Sequence, residues 1–236
     1  MILVLQFRTD QSGWHELKCI YDKADKNYDE FLVLNVMASF VTTEFLLRLL
    51  SSTKGIILGG LGEGGYEDTE PYKREKLQTM LAKLRPVVQE VNKKQIPILG
   101  ICFGHQVLAD ILGGIVVTDT RFAESGIGKI FVTEEGRKDP LLATMPDTFH
   151  GIVSHKSSVI KLPQESVLLA YSEKCPIQGF RYQSHLYGFQ LHPELTVEDH
   201  SFRMQLYPEY NQHALLYREN QDIIAQHILT NFLQQL

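Results

Sequence analysis

The sequence has few of the residues that mark secreted, membrane-bound or nucleic-acid-binding proteins. It contains 3 cysteines among 236 residues, which argues against a disulfide framework and predicts a reducing, cytoplasmic setting. No apolar stretch reaches the roughly 20 residues of a membrane span, and the opening segment 1–7 lacks the basic region of a secretory signal. The formal charge of −5 at pH 7 argues against nucleic acid as the main partner.

The chain also lacks the spaced ligand sets of common metal and nucleotide sites. It has 9 histidines but no His-Glu-x-x-His and no paired Cys-x-x-Cys segments, so no metal is expected. The glycine run 59–65 contains a literal Gly-x-Gly-x-x-Gly pattern. The acidic segment 66–71 follows it where a dinucleotide site needs an apolar helix. A dinucleotide site is therefore disfavoured, and no cofactor is predicted.

Strands and helices alternate through the first half of the chain. Apolar runs at 1–7, 31–35, 55–58 and 96–101 predict strands. Helices are predicted over 14–23 and 43–50, and helical spacing over 77–91 predicts a long helix. This β-α-β order predicts a mainly parallel sheet with helices on both faces.

The pattern changes after residue 114. Short strands with turns between them predict a small antiparallel patch over one side of the sheet, at 115–118, 129–133, 152–154, 167–171 and 178–182. Residues 196–219 give no clear assignment, and a closing helix is predicted over 222–233. No linker or internal repeat interrupts the sequence, so residues 1–236 are expected to form a single domain.

The most informative segment, 100–104, reads Gly-Ile-Cys-Phe-Gly and joins a predicted strand to a helical segment over 106–112. A sharp strand-to-helix turn leaves no room for side chains beside its central residue, which explains the flanking glycines. The turn lifts the Cys102 thiol above the sheet edge, and the helix N-terminus favours the thiolate. Cys102 is therefore the predicted nucleophile.

A second segment supplies a base for that nucleophile. The predicted strand 187–191 leads directly into His192, Pro193 and Glu194. Residues two apart on extended backbone face the same way, so Glu194 can orient His192 and leave the other ring nitrogen for Cys102. Alone, this segment would more often be a surface pair. Together with the first segment it predicts a catalytic triad of cysteine, histidine and glutamate.

These two segments and the glycine turn at 59–60 resemble the class I glutamine amidotransferases over roughly residues 54–194. The likeness is strongest to the amidotransferase domain of GMP synthetase and its stand-alone relatives. The resemblance implies a flavodoxin-like fold. It also implies that the cysteine attacks the side-chain amide of glutamine, forming a glutamyl thioester that releases first ammonia and then glutamate.

The resemblance further implies roles for residues outside the triad. Gly60, in the glycine turn, and Phe103, directly after the nucleophile, would supply the backbone N–H groups of an oxyanion hole. Gln106 would contact the bound glutamine. Ser154 and His155 match the start of a substrate-binding segment of the form Ser-His-Gly-Asp-x-Val.

The chain departs from that segment at the next two positions, where Lys156 and Ser157 replace glycine and aspartate. The missing carboxylate is the group that the family uses to help hold the α-amino group of glutamine. Two explanations stay open. Either the substrate is a different γ-glutamyl compound, or another acid makes this contact.

The sequence thus predicts a glutamine amidotransferase or glutaminase that passes ammonia to a separate acceptor. It contains neither a Walker A motif nor the pyrophosphatase loop of a synthetase, so the ammonia is expected either to pass to a separate partner, such as a synthetase subunit, or simply to be released. The first alternative is a γ-glutamyl peptidase or hydrolase with the same triad. The second is a non-catalytic regulatory subunit.

Overall fold

The computed structural model describes residues 1–24, 26–62, 64–207 and 224–236. The strands are β1 (Ile2–Gln6), β2 (Phe31–Asn35), β3 (Gly55–Leu58), β4 (Ile98–Ile101), β5 (Ile115–Thr118), β6 (Glu124–Val132), β7 (Thr148–His155), β8 (Ser157–Lys161), β9 (Ser166–Tyr171), β10 (Gly179–Tyr182) and β11 (Leu186–Phe189). The α-helices are α1 (Gln11–Asp22), α2 (Thr43–Leu49), α3 (Pro71–Lys93), α4 (Phe103–Ile111), α5 (Glu134–Lys138), α6 (Val197–Gln205) and α7 (Gln226–Gln234).

A nine-stranded sheet in the order β2-β1-β3-β4-β11-β10-β9-β6-β7 forms the centre of the fold. The strands from β2 to β11 in this order run parallel, as the sequence predicts. From β10 onward the pairing is antiparallel. The expected open, mainly parallel, flavodoxin-like architecture is confirmed.

The expected small antiparallel patch is present as the sheet of β5 and β8, but the other antiparallel strands are arranged differently from the expectation. These strands extend the main sheet at its edge instead of covering one side, and only β5 and β8 pair as a separate two-stranded sheet. The reason lies in β11, which pairs with β4 on one side and with β10 on the other, so the meander β9-β10-β11 continues the sheet.

Alternate residues of β1 face two apolar layers, one on each face of the sheet. Leu3 and Leu5 pack in a cluster with buried residues of α2, α3 and α4. Ile2 and Val4 pack in a second cluster with Ile20 of α1 and buried residues of α7. A strand buried on both faces reads as a continuous apolar run, which is why these strands are visible in the sequence.

Three elements are absent from the sequence prediction: β8, α5 and α6. The predicted closing helix is present as α7, which begins at Gln226 instead of residue 222. Residues 208–223, which contain the predicted start of that helix, lie outside the described residues. In the described part of the chain, no helix is long and apolar enough to cross a membrane.

The turn between β4 and α4 is closed by backbone contacts. A Cβ atom added to Gly104 would lie 2.2 Å from the Leu58 carbonyl oxygen, and one added to Gly100 would lie 2.6 Å from the Gly104 oxygen. Cys102, between these glycines, has a φ of 50° and a ψ of −102°. This left-handed backbone conformation is unfavourable for any residue other than glycine.

We expect Gly104→Ala to lower the free energy of unfolding by about 3 kcal/mol, because the new methyl group meets a backbone carbonyl that cannot move aside. Urea denaturation measures the change. Gly151→Ala is the matched control. A Cβ atom added to Gly151 would lie no closer than 3.3 Å to another atom, the Ala225 Cβ. Equal stability of the two variants would contradict the packing described for this turn.

Candidate active site

A cavity of about 430 Å³ lies beyond the carboxyl ends of β3, β4 and β11. In open α/β sheets this edge is the usual place for ligands. The cavity brings together most of the residues singled out in the sequence. Those that line it are Cys102, Phe103, Gln106, Ser154, His155 and His192.

Cys102 is positioned by the strained turn and by contacts with β7, with β11 and with the residue that follows β11. Its backbone N–H donates to the Phe189 carbonyl at 2.8 Å. Its Sγ lies 3.7 Å from the Ser154 carbonyl oxygen and 3.6 Å from Gln190 Nε2. The side chain is buried at the floor of the cavity, so a substrate must enter the cavity to reach it.

His192 and Glu194 lie in the segment that follows β11. The His192 Nδ1 and Glu194 Oε1 atoms are 2.9 Å apart, and His192 lines the same cavity as Cys102. Because Nδ1 is occupied by the carboxylate, Nε2 is the nitrogen left for the sulfur. The His192 N–H donates to the Ile152 carbonyl at 2.8 Å, which fixes the backbone of this segment.

The charges in this group are coupled. Burial lowers the pKa of His192, but the Glu194 carboxylate and Cys102 oppose burial and raise the pKa to about 9. Burial likewise raises the pKa of Glu194, yet His192 and the Arg203 guanidinium hold that pKa well below its usual range. Glu194 therefore stays ionised, and His192 favours its protonated form at neutral pH.

Arg203, on α6, is a member of this group that the sequence analysis does not identify. Its Nη1 donates to Glu194 Oε1 at 2.8 Å, and its Nε donates to His15 Nδ1 at 3.2 Å. The signal in the sequence is a capping box, in which Thr196 and Asp199 exchange hydrogen bonds at the start of α6. That pattern predicts a helix start but says nothing about what the helix contacts.

The predicted oxyanion donors differ in their surroundings. Phe103 is the first residue of α4, so its N–H has no acceptor within the helix. The Gly60 N–H instead donates to Glu16 Oε1 at 2.7 Å, and Arg8 Nε donates to the same oxygen at 3.1 Å. An oxyanion can use the Gly60 N–H only after the bond to Glu16 breaks.

Gln106 and Ser154 both line the cavity, and the Gln106 amide and the Ser154 carbonyl have protein partners. Gln106 Nε2 donates to the Ser157 carbonyl at 2.7 Å and to Gln190 Oε1 at 3.1 Å. The Ser154 carbonyl oxygen faces the Cys102 sulfur. Gln106 thus connects α4 to β8 and to the segment after β11, and it forms part of the cavity wall beside Cys102.

His155 is directed into a buried polar group beside the cavity. Its Nδ1 lies 3.2 Å from the Ser157 carbonyl oxygen and its Nε2 lies 3.4 Å from Glu124 Oε2. Glu124 also accepts hydrogen bonds from Ser172 and Gln178. The His155 ring nitrogens thus face this polar group, and the role of His155 as a substrate ligand stays a prediction.

Two groups of three potential metal ligands occur among the described residues, His15–Cys19–Asp199 and Glu124–His155–Cys175. In the first group, His15 accepts a hydrogen bond from Arg203, which also binds Glu194. In the second, the Cys175 thiol donates to the Ile177 carbonyl and Glu124 accepts the bonds named above. Both groups are therefore parts of hydrogen-bonded polar networks.

The model of the class I glutamine amidotransferase family matches residues 32–205 of this chain. The protein therefore belongs to that family. Among solved structures, a glutamine amidotransferase from Thermotoga maritima has the same fold, with a TM-score of 0.72 at 21% identity over 100% of this chain and 97% of that one.

Two kinds of curated relative are similar to this chain. A glutamine-hydrolysing GMP synthase subunit from Methanosphaera stadtmanae is 30% identical over 165 residues, which cover 69% of this chain and 77% of that protein. The γ-glutamyl peptidase 5 of Arabidopsis thaliana is 34% identical over 120 residues, which cover 50% of this chain and 48% of that protein. The chain matches only 20 to 22% of the length of several full GMP synthases.

We expect Glu194→Gln to lower the pKa of His192 from about 9 by at least about one unit, because an adjacent carboxylate no longer stabilises the imidazolium. Histidine-selective NMR across a pH titration measures this value. Glu134→Gln, the same change at an exposed position, is the control and should leave the titration of His192 unchanged. An unaltered pKa in Glu194→Gln would mean that the carboxylate does not set the charge of this histidine.

Proposed function

We propose that this protein hydrolyses the γ-amide of glutamine with Cys102 as its nucleophile. The observation that carries the proposal is that one cavity holds Cys102, on a strained turn at a helix N-terminus, and a buried histidine held by a carboxylate. A thiol placed beside a histidine at a positive helix end is activated for attack on a carbonyl carbon.

The proposed reaction has two halves. The Cys102 thiolate attacks the amide carbon, a C–S bond forms, and the carbonyl electron pair moves to oxygen. When the carbonyl re-forms, the C–N bond breaks, and the His192 imidazolium gives its proton to the departing ammonia. In the second half His192 takes a proton from water, whose oxygen attacks the thioester. The C–S bond then breaks, releasing glutamate and regenerating the thiolate.

The remaining groups have supporting roles in this proposal. Glu194 and Arg203 keep His192 in its orientation throughout the cycle. The Phe103 N–H donates to the developing oxyanion, and the Gly60 N–H joins it once the Glu16 carboxylate has released that N–H. The released ammonia passes to a separate acceptor, and the similarity to the Methanosphaera GMP synthase protein supports a synthetase partner.

The second candidate is a γ-glutamyl peptidase, which differs only in the leaving amine. It is favoured by the extent of the cavity, which continues past His192 to Arg8, Met204 and Tyr207 and leaves room for a larger amine. The named peptidase relatives are similar over half or more of this chain. Glutamate release from L-glutamine and from a panel of γ-glutamyl dipeptides separates the two candidates.

A diazoketone analogue of glutamine should label one cysteine of the protein, Cys102, because its electrophilic carbon replaces the amide at the reacting position. Peptide mapping by mass spectrometry identifies the site. Cys102→Ala should abolish both labelling and glutamate release while the fold remains intact.

The other two cysteines serve as internal controls for this experiment. Both Cys19 and Cys175 are fully buried, and burial raises the pKa of each thiol to about 12. Labelling of either residue while Cys102 stays unmodified would refute the proposed nucleophile. Full turnover by Cys102→Ala would have the same meaning.

A further inference from the structure

We propose that Glu67 is the residue that binds the α-ammonium group of the substrate, and that it selects γ-glutamyl compounds whose α-amino group is free. This inference rests on the proposed function, since it assigns the far end of the substrate whose amide meets Cys102. Glu67 lies in the acidic segment after the glycine run, which the sequence analysis used only to reject a nucleotide site.

Glu67 contacts Ser157 in the lining of the cavity. Its Oε2 accepts a hydrogen bond from the Ser157 Oγ, 3.5 Å away. The Ser157 hydroxyl is itself held 2.7 Å from Thr118 Oγ1, and the Ser157 carbonyl accepts from Gln106. The carboxylate of Glu67 is therefore placed against the same position of β8 where the family segment carries an aspartate.

The cavity offers a continuous wall between Glu67 and the nucleophile along which a glutamyl group can lie. Glu67 and Cys102 line one cavity, and the wall between them is built by Ser157, Gln106 and Gln190 in successive hydrogen bonds. In glutamine the α-nitrogen is four covalent bonds from the amide carbon. A substrate with its amide at Cys102 can thus extend along this wall and place its ammonium near Glu67.

The electrostatics of Glu67 favour a cationic ligand. Burial raises the pKa of this carboxyl, and Lys156 opposes that effect without cancelling it. The ionised carboxylate is therefore incompletely compensated by the groups around it. An ammonium group that enters the cavity supplies the missing positive charge and forms a charge-assisted hydrogen bond.

This assignment decides between the two explanations left open for the substitution at residue 157. The acid is not lost from the cavity wall but is supplied by a different segment, with Ser157 as its hydrogen-bond donor. An aspartate at position 157 would face Glu67 directly, and two carboxylates at that separation repel each other.

Ligand binding to Cys102→Ala, which cannot turn over, tests the proposal by titration calorimetry. Two ligands are compared, L-glutamine and glutaramate, the analogue in which hydrogen replaces the α-ammonium group. Adding Glu67→Gln should weaken L-glutamine binding by about ten- to a hundredfold, the range of one charge-assisted hydrogen bond. It should leave the weaker binding of glutaramate unchanged.

Glu70→Gln in the same background is the matched control. It makes the same change three residues away, at an exposed position outside the cavity, and should leave both affinities unaltered. Circular dichroism and the thermal midpoint check that each variant is folded. Equal L-glutamine affinity in the Glu67→Gln and Glu70→Gln variants would overturn the proposal, as would equal affinity of the parent for the two ligands or no binding of either.

The binding measurement is independent of the proposed reaction. If wild-type protein releases glutamate from L-glutamine but processes glutaramate equally well, the amidase function stands and the role of Glu67 fails. If the ligand preference depends on Glu67 but the wild-type protein shows no turnover, the binding site stands and the catalytic proposal fails.

Discussion

The left-handed backbone of Cys102 is the constraint on which the rest of the site depends. A non-glycine residue in this conformation costs about 1–3 kcal/mol and persists only where its surroundings enforce it. Here the enforcement comes from main-chain hydrogen bonds: the Cys102 N–H binds the Phe189 carbonyl and the Gly104 N–H binds the Gly59 carbonyl. Cys102, the proposed nucleophile, is thereby fixed to β11 and to the end of β3, the segments that lead into His192 and the glycine turn.

The parallel order of the sheet makes this arrangement possible. β4 lies between β3 and β11, so the three loops that leave their carboxyl ends meet at one edge. The glycines at 100 and 104 let α4 approach β3 closely enough for the backbone contact. A substitution at either glycine would therefore disturb the site and the core together.

Behind the cavity, buried charges alternate in sign from His192 through Glu194 to Arg203. Isolated buried charges are costly, but each of these has a partner of opposite charge within hydrogen-bonding distance. This network explains why α6 buries Arg203 instead of an apolar residue. The network also links α6 to the protonation state of His192, the proposed base.

The sequence was most informative where its signals are local. The strands β2 and β3 have the predicted bounds because they are continuous apolar runs. The segments around Cys102 and His192 each contain their own turn or strand signal. By contrast, α6 buries polar residues and so has no apolar periodicity for a pattern to detect.

The contacts of Glu67 and Arg203 could not be predicted, because they join segments distant in sequence. Ser157 and Glu67 are 90 positions apart, and Arg203 reaches His15 across 188 positions. Neither side chain has a neighbour in the sequence that indicates its partner. Only the fold shows that the acidic segment after the glycine run faces the substituted position on β8.

The most direct test of the proposed chemistry is to trap the covalent intermediate. Wild-type protein is mixed with L-glutamine, quenched in acid within the first turnovers and digested for mass spectrometry. We predict that the peptide carrying Cys102 gains the mass of one glutamyl group, and that His192→Ala greatly reduces this product. Glutamate release without any such adduct, or an adduct on a different residue, would contradict the assignment of Cys102 as the nucleophile.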